Sequence, residues 1–330
     1  MPILFSPLHI TRYNSLVAIL VDNSSEVIRM LRFALVGVWV GVLAFTSVAA
    51  EPMLEVVIRS DVTYATVDAE KLQLDLAVPK AGGPYPCVVC LHGGAWKGGS
   101  RKDLSRPVQW ADFGTGSKSL IELTASQGYA VASVSYRLAP KNKFPSQIQD
   151  VKTAVRYLRA NAKQLNIDPD RIGVVGFSAG GHLAALLGTT DKDAGFDGEL
   201  FPDQSSRVSC VVDFFGPADL TLYCETPGIE KAFMVPLLGA SSHDKIELYQ
   251  NASPTQYVSK ATPPFLILHG TADIVVPLLH SQRLHAKLQE AGVKSELVTM
   301  RNKGHGWFGD DATRSHEMMM KFLNEHLKAK

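Results

Sequence analysis

The chain has 330 residues, of which 46% are hydrophobic and 20% charged, and its 33 basic and 32 acidic side chains give a formal net charge of +1. Such an even balance provides neither the basic surface that nucleic acid requires nor a polybasic patch for a membrane. We therefore expect a globular protein without a nucleic-acid partner, long enough for one α/β domain of about 250 to 280 residues.

A hydrophobic stretch near the N-terminus has the pattern of a secretory signal peptide. Residues 30–50 have a basic residue at Arg32, an apolar core at residues 33–45 and small residues up to Ala50. We expect cleavage near Ala50, export to the periplasm or the medium, and no stable membrane anchor afterwards. A retained single span is the alternative, but the apolar stretch of about 17 residues is at the short limit for crossing a bilayer.

Residues 1–29 fit poorly in front of such a signal. Met30, followed by Leu-Arg, is a natural first residue for a signal peptide, so we expect translation to begin there. The preceding residues are then an extension that the natural protein lacks. Residues 51–330 are expected to form a single domain with an irregular insertion at about 217–262.

The rest of the chain alternates between strand and helix patterns. Short apolar or alternating runs predict strands, and amphipathic stretches predict helices. The predicted strands are residues 56–64, 72–78, 87–91, 130–135, 171–177, 208–214, 265–269 and 295–300, and the predicted helices are 118–127, 148–165, 181–188, 278–291 and 317–327. This alternation predicts a three-layer α/β sandwich, with a mostly parallel central sheet of about eight strands and antiparallel pairing at its start.

The sequence Gly176-Phe177-Ser178-Ala179-Gly180 joins a predicted strand to a predicted helix. A serine on such a tight turn is exposed, and the flanking glycines leave room where side chains would collide. The helix that follows directs its unpaired N–H groups toward any anion beside the serine. The motif predicts a nucleophile at Ser178, although a turn of small residues that only lets strand and helix pack closely has the same pattern.

A serine hydroxyl needs an adjacent base, and the base needs an acid that orients it. His305, between two glycines after the last predicted strand, is the candidate base. Asp273, which follows the strand 265–269, is the preferred acid, and Asp219 is its rival. The remaining helical histidines are expected on the solvated surface: His280, His285, His316 and His326.

The four cysteines are expected to be reduced. Cys87 and Cys90 share one predicted strand, which separates their Cα atoms by about 10 Å, beyond the roughly 7 Å that a disulfide tolerates. Cys210 lies in another apolar run and Cys224 in a predicted loop, and their disulfide state stays open. None of the spacings matches a zinc pattern, so no metal is expected.

The loop at residues 92–96 (HGGAW) directly follows the third predicted strand. It offers consecutive backbone amides without bulky side chains at its centre, which suits an oxyanion hole. The amide of Ala179 would complete the set.

Together these segments resemble the α/β-hydrolase superfamily, in particular the branch of feruloyl/acetyl-xylan esterase-like (BD-FAE-like) domains that is related to hormone-sensitive lipase. The resemblance covers about residues 60–328 and rests on residues 92–96 (HGGAW), 136–140 (YRLAP), 176–182 (GFSAGGH), 270–273 (GTAD), 276–277 (VP) and 304–306 (GHG). It implies the α/β-hydrolase fold and a carboxylic ester hydrolase that needs no cofactor.

The resemblance also implies the roles of individual residues. Ser178, Asp273 and His305 correspond to a catalytic triad, and Gly94 and Ala95 correspond to oxyanion donors that act together with Ala179. Ala95 departs from the third glycine that is common in the lipase-like branch, which leaves the backbone donor in place but gives the loop less room.

The expected activity is hydrolysis of short-acyl or aryl carboxylic esters through an acyl-enzyme on Ser178, with acetyl or feruloyl groups on a polysaccharide as candidate substrates. A serine amidase or peptidase with the same triad and a non-catalytic binding protein are the alternatives. Because Ala95 and Trp96 are expected to narrow the approach of the acyl group to the loop at residues 92–96, acetyl to butyryl esters should be preferred over octanoyl esters.

Two structural alternatives stay open. Trp96 is either a pocket wall or a packing residue, and residues 217–262 are either a lid or a packed excursion. The oligomeric state is left open.

Overall fold

The computed structural model describes residues 53–106 and 118–328. The signal peptide predicted at residues 30–50 and the extension predicted at residues 1–29 lie outside the described residues. The described part forms one sheet of eight strands: β1 (Val56–Val67), β2 (Glu70–Pro79), β3 (Tyr85–Leu91), β4 (Ala130–Val134), β5 (Ile167–Phe177), β6 (Val211–Phe214), β7 (Phe265–Gly270) and β8 (Ser295–Met300).

The strands lie in the order β1-β2-β4-β3-β5-β6-β7-β8. Strand β2 pairs antiparallel with both β1 and β4, and all later pairs are parallel. The predicted mostly parallel sheet with antiparallel pairing at its start is therefore confirmed. Parallel neighbours need crossover connections, and these place helices against both faces of the sheet.

The helices are α1 (Lys102–Ser105), α2 (Leu120–Ser126), α3 (Ser146–Ala160), α4 (Ala162–Leu165), α5 (Ala179–Thr189), α6 (Pro227–Ile229), α7 (Val235–Leu238), α8 (Ile246–Asn251), α9 (Leu279–Glu290) and α10 (Asp310–Leu323). Helices α3, α5 and α9 pack their apolar residues on one face of the sheet. Helices α1, α2 and α10 cover the other face. The result is the expected three-layer sandwich, in which two apolar cores enclose the sheet.

Three element boundaries differ from the sequence-based prediction for identifiable reasons. Strand β6 begins at Val211 rather than at residue 208, since its outer neighbour there is Pro264, which has no N–H for the ladder. The predicted helix 148–165 is broken at Asn161, whose side chain donates to the carbonyl oxygen of Tyr157 at 2.8 Å. Helix α10 begins earlier than predicted, at Asp310, where two acidic residues favour a helix N-terminus.

The insertion at residues 217–262 consists of short helical segments, including α6, α7 and α8. Its side chains Tyr223, Leu237 and Tyr249 are buried in the core on the face that carries α3, α5 and α9. The insertion is therefore a packed excursion. No helix within the described residues is long and apolar enough to cross a bilayer.

Two histidines that we expected on the surface are buried instead. The ring of His280 lies 4.7 Å from that of Tyr223 in the insertion, and its Nδ1 accepts a hydrogen bond from the amide of Asp219 at 3.3 Å. His316, on α10, is 7% exposed. The prediction was wrong for both residues because the insertion and the packing of α10 cover helix faces that appear polar in the sequence.

The four cysteines are all free in the structure. Cys87, Cys90 and Cys210 are buried, and Cys224 is half-buried. Burial raises the pKa of the Cys87 thiol to about 12, which keeps it protonated and unreactive at neutral pH.

Candidate active site

The three predicted triad residues follow the carboxyl ends of three strands in the same sheet. Ser178 comes directly after β5, Asp273 after β7 and His305 after β8. The carboxyl ends of parallel strands meet at one edge of a sheet, so loops that are far apart in sequence become neighbours there.

A continuous chain of hydrogen bonds joins the three side chains. The Nδ1 atom of His305 lies 2.7 Å from Oδ2 of Asp273, and its Nε2 atom lies 2.8 Å from Oγ of Ser178. A carboxylate only accepts, so Nδ1 carries the proton and Nε2 is free to accept the proton of the serine hydroxyl. This arrangement can turn Ser178 into a nucleophile.

The backbone of Ser178 is held in an unusual conformation, with φ at 55° and ψ at −118°. A non-glycine residue in such a region costs about 1 to 3 kcal/mol, which the surrounding packing has to offset. The glycines on either side permit that packing. A Cβ atom on Gly176 would lie 2.1 Å from the carbonyl oxygen of Gly180, and one on Gly180 would lie 2.2 Å from that of Leu91. Any larger residue at either position would push α5 away from the sheet.

The carboxylate of Asp273 has hydrogen-bond partners on both oxygens. Oδ1 accepts from the amides of Val275 and Val276, each at 2.9 Å. Oδ2 lies against His305 and also 3.3 Å from Nε2 of His269. Burial alone would raise the pKa of Asp273, but these donors outweigh it and hold the pKa well below its ordinary value. Asp273 therefore stays ionised beside His305.

The loop at residues 92–96 lies against the nucleophile. A Cβ atom on Gly93 would be 3.4 Å from Cβ of Ser178. Gly94, Ala95 and Trp96 all have positive φ angles, of 107°, 51° and 58°. In the described part of the chain, the amides of Gly94 and Ala95 donate to no other group. The amide of Ala179, at the start of α5, also has no acceptor there. The loop can therefore present donors to an anion beside Ser178.

A cavity of about 580 Å³ opens at Ser178 and extends along the face of the sheet that α10 covers. Aromatic side chains form part of its wall: the rings of Phe177 and Phe214 stack at 4.6 Å, Phe214 lies 6.3 Å from Trp307, and Phe215 packs on His305 at 4.7 Å. The indole N–H of Trp307 donates to Oγ of Ser315 at 2.6 Å, which fixes the ring as a wall.

The wall of the cavity decides two alternatives that the sequence left open. Trp96 does not line it: the residue is 3% exposed and its indole points into the packing beside His182. Trp96 is thus a packing residue, and the argument that its side chain narrows the acyl site is wrong. The described wall of the cavity also contains no residue of the insertion 217–262, so the insertion does not cover it.

The rival acid Asp219 is engaged elsewhere. Its Oδ2 accepts from the guanidinium of Arg283 at 2.6 Å, and its Oδ1 accepts from the amide of Thr221 at 3.2 Å. Of the two aspartates, only Asp273 contacts His305. Among the described residues, no group of three or more His, Cys, Asp or Glu side chains is arranged to hold a metal ion.

The structure adds site residues that the sequence did not reveal. His269 contacts Asp273, and Phe177, Phe214 and Trp307 form cavity walls. His269 precedes Asp273 by four residues, and that spacing across a tight turn was a usable signal. The aromatic wall had no comparable signal, because its members come from three separate elements.

The chain matches the BD-FAE family model over residues 74–288. It is similar to Esterase LipC of Mycobacterium tuberculosis, with 32% identity over 253 residues that make up 73% of this chain and 59% of that protein. It is also similar to Carboxylesterase NlhH of Mycobacterium tuberculosis, with 32% identity over 67% of this chain and 66% of that protein. The aligned part spans only 46% to 61% of LipC, LipM and LipQ from the same organism.

Solved structures give the same picture of the fold. A truncated form of a carbohydrate esterase from gut microbiota superposes with a TM-score of 0.67 at 28% identity, over 85% of this chain and 99% of that one. An acetyl ester-xyloside bifunctional hydrolase from Caldicellulosiruptor lactoaceticus superposes with a TM-score of 0.64 at 26% identity, over 80% and 96% of the two chains. The family match and the sheet topology confirm the expected resemblance: this chain has the α/β-hydrolase fold and belongs to the BD-FAE family.

Proposed function

We propose that this protein is a serine-dependent carboxylic ester hydrolase in which Ser178 is the nucleophile, His305 the general base and acid, and Asp273 the residue that orients His305. One observation carries the proposal. The hydrogen-bonded chain from Asp273 through His305 to Ser178, with distances of 2.7 and 2.8 Å, ends at the mouth of a large apolar cavity.

The proposed reaction has two stages. Oγ of Ser178 attacks the ester carbonyl carbon while its proton passes to Nε2 of His305, and the tetrahedral oxyanion is stabilised by the amides of Gly94, Ala95 and Ala179. The C–O bond to the alcohol then breaks, and His305 returns the proton to the departing oxygen. In the second stage His305 takes a proton from water as the water oxygen attacks the acyl carbon. The bond between that carbon and Oγ of Ser178 then breaks, His305 returns the proton to Oγ, and the carboxylic acid leaves.

The acyl group is proposed to be aromatic or short. Flat rings at Phe177, Phe214 and Trp307 favour a planar aryl acyl group, because offset or edge contacts between rings contribute about 0.5 to 1.5 kcal/mol each. Acetyl or feruloyl groups on a polysaccharide fit this class, and two structurally similar proteins are named as a carbohydrate esterase and an acetyl ester-xyloside hydrolase.

The activity is tested with p-nitrophenyl acetate, a p-nitrophenyl cinnamate and an aminoacyl anilide as parallel substrates. Ester turnover that is lost in Ser178→Ala supports the proposal. Faster cleavage of the anilide would replace it with an amidase or peptidase. Absence of turnover with every ester would favour a binding protein of this fold.

Export is proposed from the composition of residues 30–50. N-terminal sequencing of protein recovered from the extracellular or periplasmic fraction should find a start near Glu51. A sequence that begins within residues 1–29 would contradict both the cleavage and the proposed start at Met30.

A further inference from the structure

Trp96 and His182 connect the oxyanion loop to the helix that follows the nucleophile. The indole Nε1 of Trp96 lies 3.1 Å from Nδ1 of His182, and the two rings meet edge to face at 5.1 Å and 87°. Both side chains are buried, His182 completely. Neither residue lines the cavity or belongs to the proposed triad.

The direction of this hydrogen bond is fixed by a third residue. Nε2 of His182 lies 2.7 Å from the carbonyl oxygen of Ala252, which can only accept, so Nε2 carries the proton. Nδ1 is then an acceptor, and the indole N–H, which can only donate, matches it. Ala252 belongs to the insertion at residues 217–262. The insertion therefore sets the tautomer of His182, which accepts the hydrogen bond from Trp96.

The two partners are adjacent to the proposed oxyanion donors. Trp96 directly follows Ala95, and His182 lies one helical turn after Ala179, with its own amide donating to the carbonyl oxygen of Ser178 at 3.0 Å. A shift of the indole would displace the backbone of Gly94 and Ala95 relative to the start of α5. The side-chain bond thus links the two sources of oxyanion donors.

The loop needs such support because its backbone is strained. Gly94, Ala95 and Trp96 are three consecutive residues with positive φ, and two of them carry side chains that disfavour this region. Strained backbone of this kind persists only where surrounding contacts determine it. The carbonyl oxygen of Gly94 accepts from the amides of Lys97 and Gly98, each at 3.0 Å, and that of Trp96 accepts from the amide of Ala139 at 2.8 Å. The indole bond to His182 is the contact that joins this loop to α5 through the side chain of Trp96.

We propose that Trp96 and His182 are positioning residues that hold the amides of Gly94 and Ala95 in register with the amide of Ala179, and that the insertion supports them through Ala252. The inference rests on the proposed ester hydrolysis and deepens it. In this proposal the insertion supports the loop at residues 92–96 from the side away from the cavity.

The main test replaces Trp96 by Phe, which keeps most of the ring and removes the N–H donor. We expect kcat for an ester to fall about 10- to 100-fold with KM nearly unchanged. A misplaced oxyanion donor stabilises the transition state less well but leaves the binding of the substrate almost unaffected. The inhibition constant of a trifluoromethyl ketone, which forms a tetrahedral oxyanion adduct, should rise by a similar factor. An effect on kcat and on this inhibitor within twofold of wild type would overturn the proposal.

A matched control removes the hydrogen bond of another buried aromatic side chain, Tyr129, which directly precedes β4 and does not line the cavity. The hydroxyl of Tyr129 donates to Oδ1 of Asn324 at 2.8 Å, and Tyr129→Phe should lower the melting temperature while leaving kcat and the inhibitor affinity unchanged. An equal loss of kcat in both variants would show that Trp96 acts only through stability. Turnover of wild type and its loss in Ser178→Ala test the proposed function separately from this comparison.

If Trp96→Phe does not fold, His182 provides the second test. In His182→Asn the side-chain oxygen takes the place of Nδ1 and can still accept from Trp96, whereas His182→Leu cannot. We expect kcat of the Asn variant within a few-fold of wild type and that of the Leu variant at least about tenfold lower. Equal losses of kcat in the two variants would contradict the positioning role.

Discussion

Nε2 of His269 lies 3.3 Å from Oδ2 of Asp273, the oxygen that also accepts from His305. The same Nε2 lies 2.7 Å from the carbonyl oxygen of Val276, and Nδ1 of His269 lies 2.6 Å from Oγ of Ser281. The buried imidazole thus joins β7, the turn that carries Asp273 and the start of α9. Asp273, the candidate acid, is therefore held in place by His269 as well as by its hydrogen bond to His305.

The first prediction compares the two aspartates. Asp273→Asn should lower kcat by about three to four orders of magnitude, because an amide can no longer fix the His305 tautomer and stabilise its protonated form. Asp219→Asn should retain most of the activity, since Asp219 contacts Arg283 and Thr221 and not His305. Steady-state rates on one ester measure both variants. Small and equal losses would contradict the proposed triad.

The second prediction concerns His269. His269→Leu should lower kcat by about 10- to 100-fold, because Asp273 loses a partner and the turn at residues 270–276 can move relative to His305. The melting temperature is measured in parallel. A large fall in melting temperature without a fall in kcat at a temperature where the variant is folded would contradict this role.

The third prediction is a loss of stability in mild acid. Burial lowers the pKa of His182 and of His316 to about 4 and that of His280 to about 3. A histidine whose pKa is lower in the folded protein stabilises it above its ordinary value near 6.5, and this contribution is lost as the pH falls toward the folded value. Burial also raises the pKa of Asp213 to about 6, which acts in the opposite direction over the same range.

Burial lowers the pKa of His92 and of His326 as well, so the histidines outweigh Asp213. The free energy of unfolding should therefore fall by roughly 2 to 4 kcal/mol between pH 7.5 and pH 5.5. Urea unfolding at the two pH values measures this difference. His316→Phe should reduce this difference by about 1 kcal/mol. Stability that rises on acidification would show that these histidines are accessible to protons.

The fourth prediction concerns acyl size. Trp307→Leu removes an aromatic wall of the cavity, so octanoyl esters should gain relative to acetyl esters by about tenfold or more, at about 0.8 kcal/mol for each additional buried methylene. The control is Leu237→Ala, a buried truncation in the insertion that should lower stability without changing the preference. In wild type, acetyl to butyryl or aryl esters should exceed octanoyl esters in kcat/KM. A wild type that prefers dodecanoyl esters would have a lipase-like acyl site instead.

The fold and the position of the site were predictable because their signals are local. Each of Ser178, Asp273 and His305 follows a predicted strand and lies beside or near a glycine, so the order of the motifs already indicated one edge of a parallel sheet. The structure brings these three side chains into hydrogen-bond contact. Their catalytic roles stay predictions until the variants are measured.

Other features depend on contacts between distant segments and had no local signal. The burial of His280 depends on Tyr223, which lies in an insertion without clear periodicity. Trp96 is the last residue of the loop at residues 92–96, yet its positive φ turns the indole toward His182 and away from the cavity. The types of residue in a sequence do not predict which way a side chain points on a strained turn.

Labelling of the nucleophile tests the central claim most directly. The full chain is treated with a fluorophosphonate at neutral pH, digested and mapped by mass spectrometry, with Ser178→Ala and His305→Ala in parallel. The account predicts one covalent adduct per chain, located on Ser178, with no adduct in Ser178→Ala and much slower labelling in His305→Ala. An adduct on another serine, or a wild-type chain that remains unlabelled while it hydrolyses esters, would contradict it.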